Sequence, residues 1–119
     1  MEYEFELTEK ANNDIEGILY YLSKKLMTPQ SATHFMDVLM KGFNRICTFP
    51  ESGEVLDNKF VPTDMIRKAL IGRYVIYYPI MKRKKRILIL RVSHELRDVR
   101  NILQHTTFNI EESSASLLI

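Results

Sequence analysis

The chain has 119 residues, of which 45% are hydrophobic and 27% are charged, which is typical of one globular domain with a single core. Its single cysteine excludes a disulfide framework and a multi-cysteine metal site. No apolar run approaches the ~18 residues of a membrane span, and no cationic and apolar leader opens the sequence, so we expect a cytoplasmic protein.

The N-terminal segment predicts a strand followed by a helix. Tyr3, Phe5 and Leu7 alternate with glutamates, which is the period of a half-buried strand. Thr8 can cap a helix over residues 9–27, where apolar residues recur at spacings of three and four.

A second amphipathic helix follows almost without a loop. Thr28 and Pro29 predict its N-cap and first position, and its apolar stripe runs to about Thr48. Cys47 falls in that stripe, so we expect a buried, inert thiol. Two helices joined so closely are expected to lie antiparallel as a hairpin.

The C-terminal half predicts strands. Residues 51–64 form a loop long enough to hold a short ordered piece. Three β-rich runs then follow, separated only by Gly72 and by the basic turn 82–85, and connections this short join neighbouring antiparallel strands. In the last run Leu88, Leu90 and Val92 share one face, and the opposite face is also apolar, which marks a central strand.

These elements predict an α+β domain. We expect an N-terminal strand, an antiparallel helical hairpin covering one sheet face, and a three-stranded antiparallel meander. Together the strands would form one mainly antiparallel four-stranded sheet. A short C-terminal helix is predicted over 97–105, so that the domain spans 1–105 and residues 106–119 form a flexible tail.

The charge is distributed unevenly along the chain. Residues 65–105 carry eleven Lys and Arg but two acids, a local charge of +9, whereas the whole chain is +2 and residues 1–60 are net −4. This asymmetry indicates a surface that meets an acidic partner, namely a nucleic acid, a nucleic-acid-handling machine or an acidic protein. The alternative is a basic sheet edge that only prevents aggregation.

The sequence offers little metal or cofactor chemistry. His34, His94 and His105 fall on different elements without ligand spacing, and the glycines form no phosphate loop, so we expect neither a metal nor a cofactor. What remains is a set of cations and rings that can bind phosphates, stack bases or cleave RNA without metal. Its members are Arg67, Lys68, Arg73, Tyr74, Tyr77, Tyr78, Arg91, His94, Arg97 and Arg100.

Three members of this set have structural alternatives. Tyr77 and Tyr78 point to opposite sheet faces, so at least one of them is expected in the core. Arg91 lies on the predicted central strand, where a cation needs a partner such as Asp98 or a ligand.

Three segments together resemble the RelE/ParE superfamily of bacterial type II toxins over about residues 3–104. They are F-P-E-S-G at 49–53, I-R-K-A-L-I-G-R-Y-V-I-Y-Y at 66–78, and L-R-V-S-H-E-L-R-D-V-R-N-I-L at 90–103. The resemblance implies a growth-inhibiting toxin encoded beside a cognate antitoxin that neutralises it. We expect no membrane partner and no small-molecule cofactor.

The resemblance leaves two mechanisms open. RelE-like toxins cut mRNA on the ribosome, and the positions of their arginine, arginine and tyrosine hold Tyr74, Glu95 and Asn101 here. A variant nuclease would use His94 or Glu95 as base, with Arg91 and Arg97 holding the phosphate charge.

ParE-like toxins poison DNA gyrase, and the run from His94 through Arg97-Asp98 to Val99, Ile102 and Leu103 resembles theirs. We therefore favour gyrase as the target, with the ribosome and mRNA as the alternative. A degenerate or non-toxic basic domain is the third possibility. The predicted target-binding residues are Arg67, Lys68, Arg73, Arg91, His94 and Arg97.

Overall fold

A computed structural model describes residues 2–25, 27, 29–56 and 66–96. The elements are β1 (Glu4–Leu7), α1 (Glu9–Tyr20), a π-helical turn (Tyr21–Lys25), α2 (Pro29–Thr48), a 3₁₀ turn (Pro50–Ser52), β2 (Glu54–Val55), β3 (Ile66–Ile71), β4 (Tyr74–Met81), β5 (Arg86–Ile89) and β6 (Arg91–His94). The predicted C-terminal helix over 97–105 and the tail lie outside the described residues. No helix of the described part is long and apolar enough to span a membrane.

The α+β class is confirmed and the sheet is mainly antiparallel as predicted, but the predicted number of four strands is wrong. Within the described residues the sheet has six strands in the order β1-β5-β4-β3-β2, and β6 also pairs with β4. β1 runs parallel to β5, whereas the other pairs are antiparallel. Parallel neighbours need a long connection, and here both helices and the strands β2, β3 and β4 lie between β1 and β5 in the chain. β2 is the short ordered piece expected in the loop after α2.

The predicted last strand is divided by a β-bulge at Leu90. Three β4 residues separate Ile76 from Ile80, but four residues, 88–91, separate their partners Val92 and Ile87. The extra residue reverses the alternation of side chains along the strand. The prediction that Val92 shares a face with Leu88 is therefore wrong, because Val92 packs with Ile87 in the core beneath the helices.

The main core lies between the helices and one sheet face, as predicted. Phe43 and Leu39 of α2 pack there with Ile76 and Tyr78 of β4. A Cβ on Gly42 would lie 2.6 Å from Cγ2 of Ile71, so the absence of a side chain lets α2 approach β3 closely. Cys47 is buried as expected, and burial raises the pKa of its thiol.

Thr8 begins α1 as the sequence predicts and also ties the helix to the bulge. Its hydroxyl accepts a hydrogen bond from the backbone N–H of Ala11 and donates to the carbonyls of Ile89 and Leu90, at 2.9 and 3.1 Å. The expected helix over 9–27 is shorter, because α1 ends at Tyr20 and a π-helical turn follows. Such turns insert a residue into the helical repeat and thereby change the direction of the side chains that follow.

The segment Phe49–Gly53 is held against the sheet by the phenol of Tyr78. This fully buried hydroxyl donates to the Pro50 carbonyl at 2.9 Å and accepts from the Gly53 N–H at 3.1 Å. Tyr77, on the opposite sheet face, is also buried. The expectation that at least one of the two tyrosines is a core residue is therefore confirmed for both.

The buried tyrosines predict a loss of stability at alkaline pH. Burial raises the pKa of Tyr77 and of Tyr78, so the folded chain holds these protons more tightly than the unfolded chain. This contribution to stability is complete below the unfolded pKa of about 10 and falls as the pH rises beyond it. Urea unfolding at increasing pH above about 10 should show a falling free energy of unfolding. This fall should be smaller in Tyr78→Phe than in the control Tyr20→Phe, which changes an exposed tyrosine. Equal declines in both variants would contradict the assignment.

Candidate target-binding site

The β3–β4 hairpin turn presents one of the predicted target-binding cations. Gly72 has a φ of +61° and occupies the first position of a two-residue type II′ turn, where glycine is favoured. Arg73 is the second residue of this turn. The Arg73 side chain is 79% exposed and lies 3.9 Å from the carboxylate of Glu95. The Glu95 N–H donates to the Arg73 carbonyl at 2.8 Å, so the end of β6 is fixed beside the turn.

His94 and Tyr74 form the aromatic part of this corner. They are cross-strand partners, with ring centroids 5.6 Å apart in an edge-to-face arrangement. The other side of Tyr74 packs on Phe35 of α2 at 4.9 Å. Burial, and secondarily the nearby Tyr21, raise the pKa of Tyr74. Tyr74 is therefore a neutral ring held between the helices and His94.

The Nδ1 atom of His94 accepts a hydrogen bond from the backbone N–H of Leu96 at 3.1 Å. In the neutral imidazole the proton then resides on Nε2, which is left to donate to a ligand. The turn after β6 thus fixes both the ring orientation and the tautomer.

Arg91 forms a bidentate ion pair with Asp14, a residue that the sequence analysis did not select. Nε and Nη2 of Arg91 donate to the two carboxylate oxygens at 2.7 and 2.9 Å, and the Val92 N–H donates to Oδ2 of Asp14 at 3.0 Å. Both side chains are about nine-tenths buried. This partner is on α1, and Asp98, the partner that the sequence suggested, lies outside the described residues. Asp14 could have been found, because it is a charge three residues after buried Ala11 on the apolar face of α1.

The remaining predicted cations lie elsewhere. Arg67 donates to the carbonyls of Gly53 and Glu51, and Lys68 lies 3.9 Å from Glu54, so both belong to the β2–β3 edge. Strand geometry places Arg67 about 13 Å from the far end of β3, where the turn carries Arg73. Arg97 lies outside the described residues. Of the predicted set, the structure brings together Arg73, His94 and Glu95.

Acids from the N-terminal half offset much of the positive charge of the sheet. Within residues 66–96, at least six of the nine Lys and Arg side chains pair with an acid. In five of these pairs the acid comes from residues 2–54: Lys68–Glu54, Lys82–Glu51, Lys85–Glu2, Arg86–Glu4 and Arg91–Asp14. The local charge of +9 that residues 65–105 carry in the sequence is therefore partly offset in the folded chain by acids from residues 2–54.

Two clefts flank Tyr74. One, of about 520 Å³, lies between α2 and the β3–β4 turn and includes His34 and Arg73 in its lining. The other, of about 500 Å³, lies between α1 and β6 and is lined by Tyr21, Ser93 and His94 among others. The described residues contain no cluster of His, Cys, Asp or Glu that could hold a metal ion.

A sequence model of the family described as "ParE toxin of type II toxin-antitoxin system, parDE" matches residues 5–99. The chain belongs to the ParE toxin family. The superfamily predicted from the sequence is thereby confirmed, and the match includes Arg73, Arg91 and His94.

Comparison with solved structures supports the same fold for this ParE-family chain. It is similar to a structure described as "Chromosomal ParDE TA system from P. aeruginosa", with a TM-score of 0.59 and 18% sequence identity. The alignment covers 78% of this chain and 96% of the other. At 18% sequence identity, this similarity shows only that the two chains share a fold. A comparison with curated proteins gives no match.

Proposed function

We propose that this ParE-family chain inhibits bacterial growth by poisoning DNA gyrase in the cytoplasm, and that a cognate antitoxin neutralises it. The family match over residues 5–99 supports the toxin and the antitoxin. The corner formed by Arg73, Tyr74, His94 and Glu95 would contact the target, since it combines an exposed cation with a hydrogen-bonding ring.

The ion pairing of Arg91 is the observation that most favours gyrase over mRNA cleavage. In the variant nuclease, Arg91 would have to hold the phosphate charge, but its guanidinium is bound to Asp14 and is largely buried. The carboxylate of Glu95, a candidate base, lies 3.9 Å from the guanidinium of Arg73, which would compete with a substrate for it. Rearranging a buried ion pair to bind substrate would be costly.

The alternative target is mRNA on the ribosome, and one feature of the corner supports it. His94 and Glu95 are adjacent in the chain and the Nε2 atom of His94 is left to donate, so these two residues could supply an acid and a base to a ribose phosphate. His94→Ala and Glu95→Ala would each abolish this activity, whereas gyrase poisoning requires no general base.

Controlled induction of the chain in bacteria distinguishes the two targets. We expect replication arrest, trapped gyrase–DNA complexes and a DNA-damage response while protein synthesis initially continues. Immediate loss of translation with mRNA cuts in phase with codons would instead identify the nuclease. Normal growth despite high soluble expression would contradict the toxin proposal itself.

Arg73 provides a specific prediction for the target-binding corner. Arg73→Ala should abolish or strongly reduce growth inhibition while changing stability by less than about 0.5 kcal/mol, because the side chain is exposed. Arg83→Ala is the matched control, since Arg83 is an exposed arginine in the β4–β5 turn at the opposite end of β4. Growth assays and melting temperatures of both variants test this prediction. If Arg73→Ala stays fully toxic, the corner does not contact the target.

A further inference from the structure

The outer edge of β1 is a free edge of the sheet within the described part of the chain. β1 is the last strand at one end of the order β1-β5-β4-β3-β2, and it pairs with β5 alone. The Glu4 N–H donates to the Lys85 carbonyl at 3.0 Å. Because alternate residues of a parallel strand bond to the same neighbour, Phe5 and Leu7 direct their backbone groups away from β5.

These outward backbone groups are unpaired. The N–H and C=O groups of Phe5 and Leu7 have no hydrogen-bond partner among the described residues. Phe5 packs on Phe43 of α2, with ring centroids 4.8 Å apart, so α2 lies against one face of β1. Both Phe5 and Leu7 stay half-buried although they contact the core, as expected beside an open edge. Such an edge is the template on which another polypeptide adds a strand.

Glu6 indicates what an added strand must supply. Its side chain lies on the sheet face opposite the helices, because the residues on either side of it pack against the core. It is half-buried and has no ion-pair or hydrogen-bond partner among the described residues, whereas Glu4 pairs with Arg86. A partly desolvated carboxylate without a counter-charge is unfavourable. A lysine or arginine on a strand paired with β1 would lie directly beside it.

The charges argue against the two occupants that this chain itself could supply. In a second copy, pairing β1 with β1 would place Glu4 and Glu6 opposite glutamates, and like charges directly opposite are destabilising. The C-terminal residues 101–119 contain no lysine or arginine. The counter-charge for Glu6 therefore has to come from a different polypeptide.

This edge lies apart from the target-binding corner. Glu6 pairs with Leu88, which precedes His94 of the corner by six residues, so the two sites are roughly 16–20 Å apart along the strand. Arg73, the exposed cation of the corner, lies in the turn between β3 and β4. A substitution at Glu6 is therefore expected to leave growth inhibition intact.

We infer that an extended segment of the antitoxin adds a strand to the outer edge of β1 and places a lysine or arginine beside Glu6. The inference rests on the proposed function, because the partner is the antitoxin proposed above. Main-chain bonds to Phe5 and Leu7 supply affinity, and the charge pair at Glu6 fixes the register of the added strand.

The test changes the charge at position 6 in the full-length chain. Glu6→Lys places a cation beside the inferred cation of the antitoxin, and Glu6→Gln removes the charge with little change in shape. Glu16→Lys is the matched control, since it makes the same charge change at an exposed position of α1. The polypeptide encoded beside the toxin gene is purified, and its affinity for each variant is measured together with growth inhibition.

Backbone hydrogen exchange tests the strand itself. The amides of Phe5 and Leu7 are followed in the wild-type chain, free and in complex. The Glu4 amide, which is already bonded to Lys85, serves as the internal reference.

We expect Glu6→Lys to arrest growth like the wild type and to bind the antitoxin at least about tenfold more weakly, because like charges would then meet. Glu6→Gln should weaken binding by a smaller factor, and Glu16→Lys should bind like the wild type. The Phe5 and Leu7 amides should become protected in the complex, whereas the exchange of the Glu4 amide should change little.

Unchanged affinity of a folded Glu6→Lys chain, or Phe5 and Leu7 amides that stay unprotected in the complex, overturns the inference and leaves the toxin proposal intact. If Glu6→Lys does not fold, the affinity of Glu6→Gln and the amide protection decide in the same way. Loss of growth arrest with unchanged antitoxin binding would assign the edge to the target. Concentration-dependent protection in the free chain would assign it to a second copy, and either result overturns the inference. A wild-type chain that neither arrests growth nor binds the neighbouring polypeptide overturns both proposals.

Discussion

Asp14→Ala is expected to lower the free energy of unfolding by about 3–5 kcal/mol, the usual effect of removing one member of a buried ion pair. The carboxylate accepts two bonds from the Arg91 guanidinium and one from the Val92 N–H. Its removal leaves the buried positive charge without this counter-charge and a strand-edge donor unsatisfied. Urea denaturation of the purified variant measures the loss.

Asp37→Ala is the matched control for this prediction. Asp37 pairs with Lys41 at 3.0 Å on the surface of α2, where both side chains are more than half exposed. Exposed pairs of this kind contribute about 0.5 kcal/mol or less. If the two alanine variants lose similar stability, the Asp14–Arg91 pair is not an important structural contact.

A double substitution separates the destabilisation caused by one unpaired buried charge from the net stabilisation that the ion pair contributes. Asp14→Leu combined with Arg91→Met removes both charges and keeps apolar volume. Such replacements of buried pairs are often neutral or stabilising, so the double variant should be more stable than Asp14→Ala. A double variant as unstable as the single one would show that the hydrogen bond to the Val92 N–H carries the effect.

Gly53→Ala should be the second large effect, with a loss of about 2–4 kcal/mol from overpacking and broken hydrogen bonds. A Cβ on Gly53 would overlap the Tyr78 hydroxyl and would lie 2.9 Å from the Lys68 carbonyl oxygen. The phenol would have to move, and its bonds to Gly53 and Pro50 would weaken. Thermal and urea unfolding measure the change.

The same substitution at Gly17 should have the opposite sign. No atom lies within 4 Å of a Cβ built there, and alanine is favoured over glycine in a helix interior by about 0.5–1 kcal/mol. Gly17→Ala should therefore raise the stability of the free chain. Equal effects at positions 17 and 53 would contradict the close approach assigned to Gly53.

Elements specified by local sequence were predicted well. The alternation of residues 3–7 gave β1, Thr8 gave the start of α1, and Pro29 and Thr48 gave the bounds of α2. The single residue between two β-rich runs gave the tight turn at Gly72. In each case the periodicity, the cap or the turn lies within a few residues, so the sequence shows it directly. Arg73 and His94 were selected as members of the set of cations and rings on and after the predicted sheet.

The sequence by itself thus determined the class of fold, the helical faces and the superfamily. Only the tertiary structure decided the parallel pairing of β1 with β5, the bulge at Leu90 and the partner of Arg91. Asp14 and Arg91 are 77 residues apart. Periodicity within one element cannot show which distant element lies beside it. The net charge of the sheet surface could not be predicted for the same reason. The acids that offset the basic residues of the sheet come from the other half of the chain, and only folding brings them there.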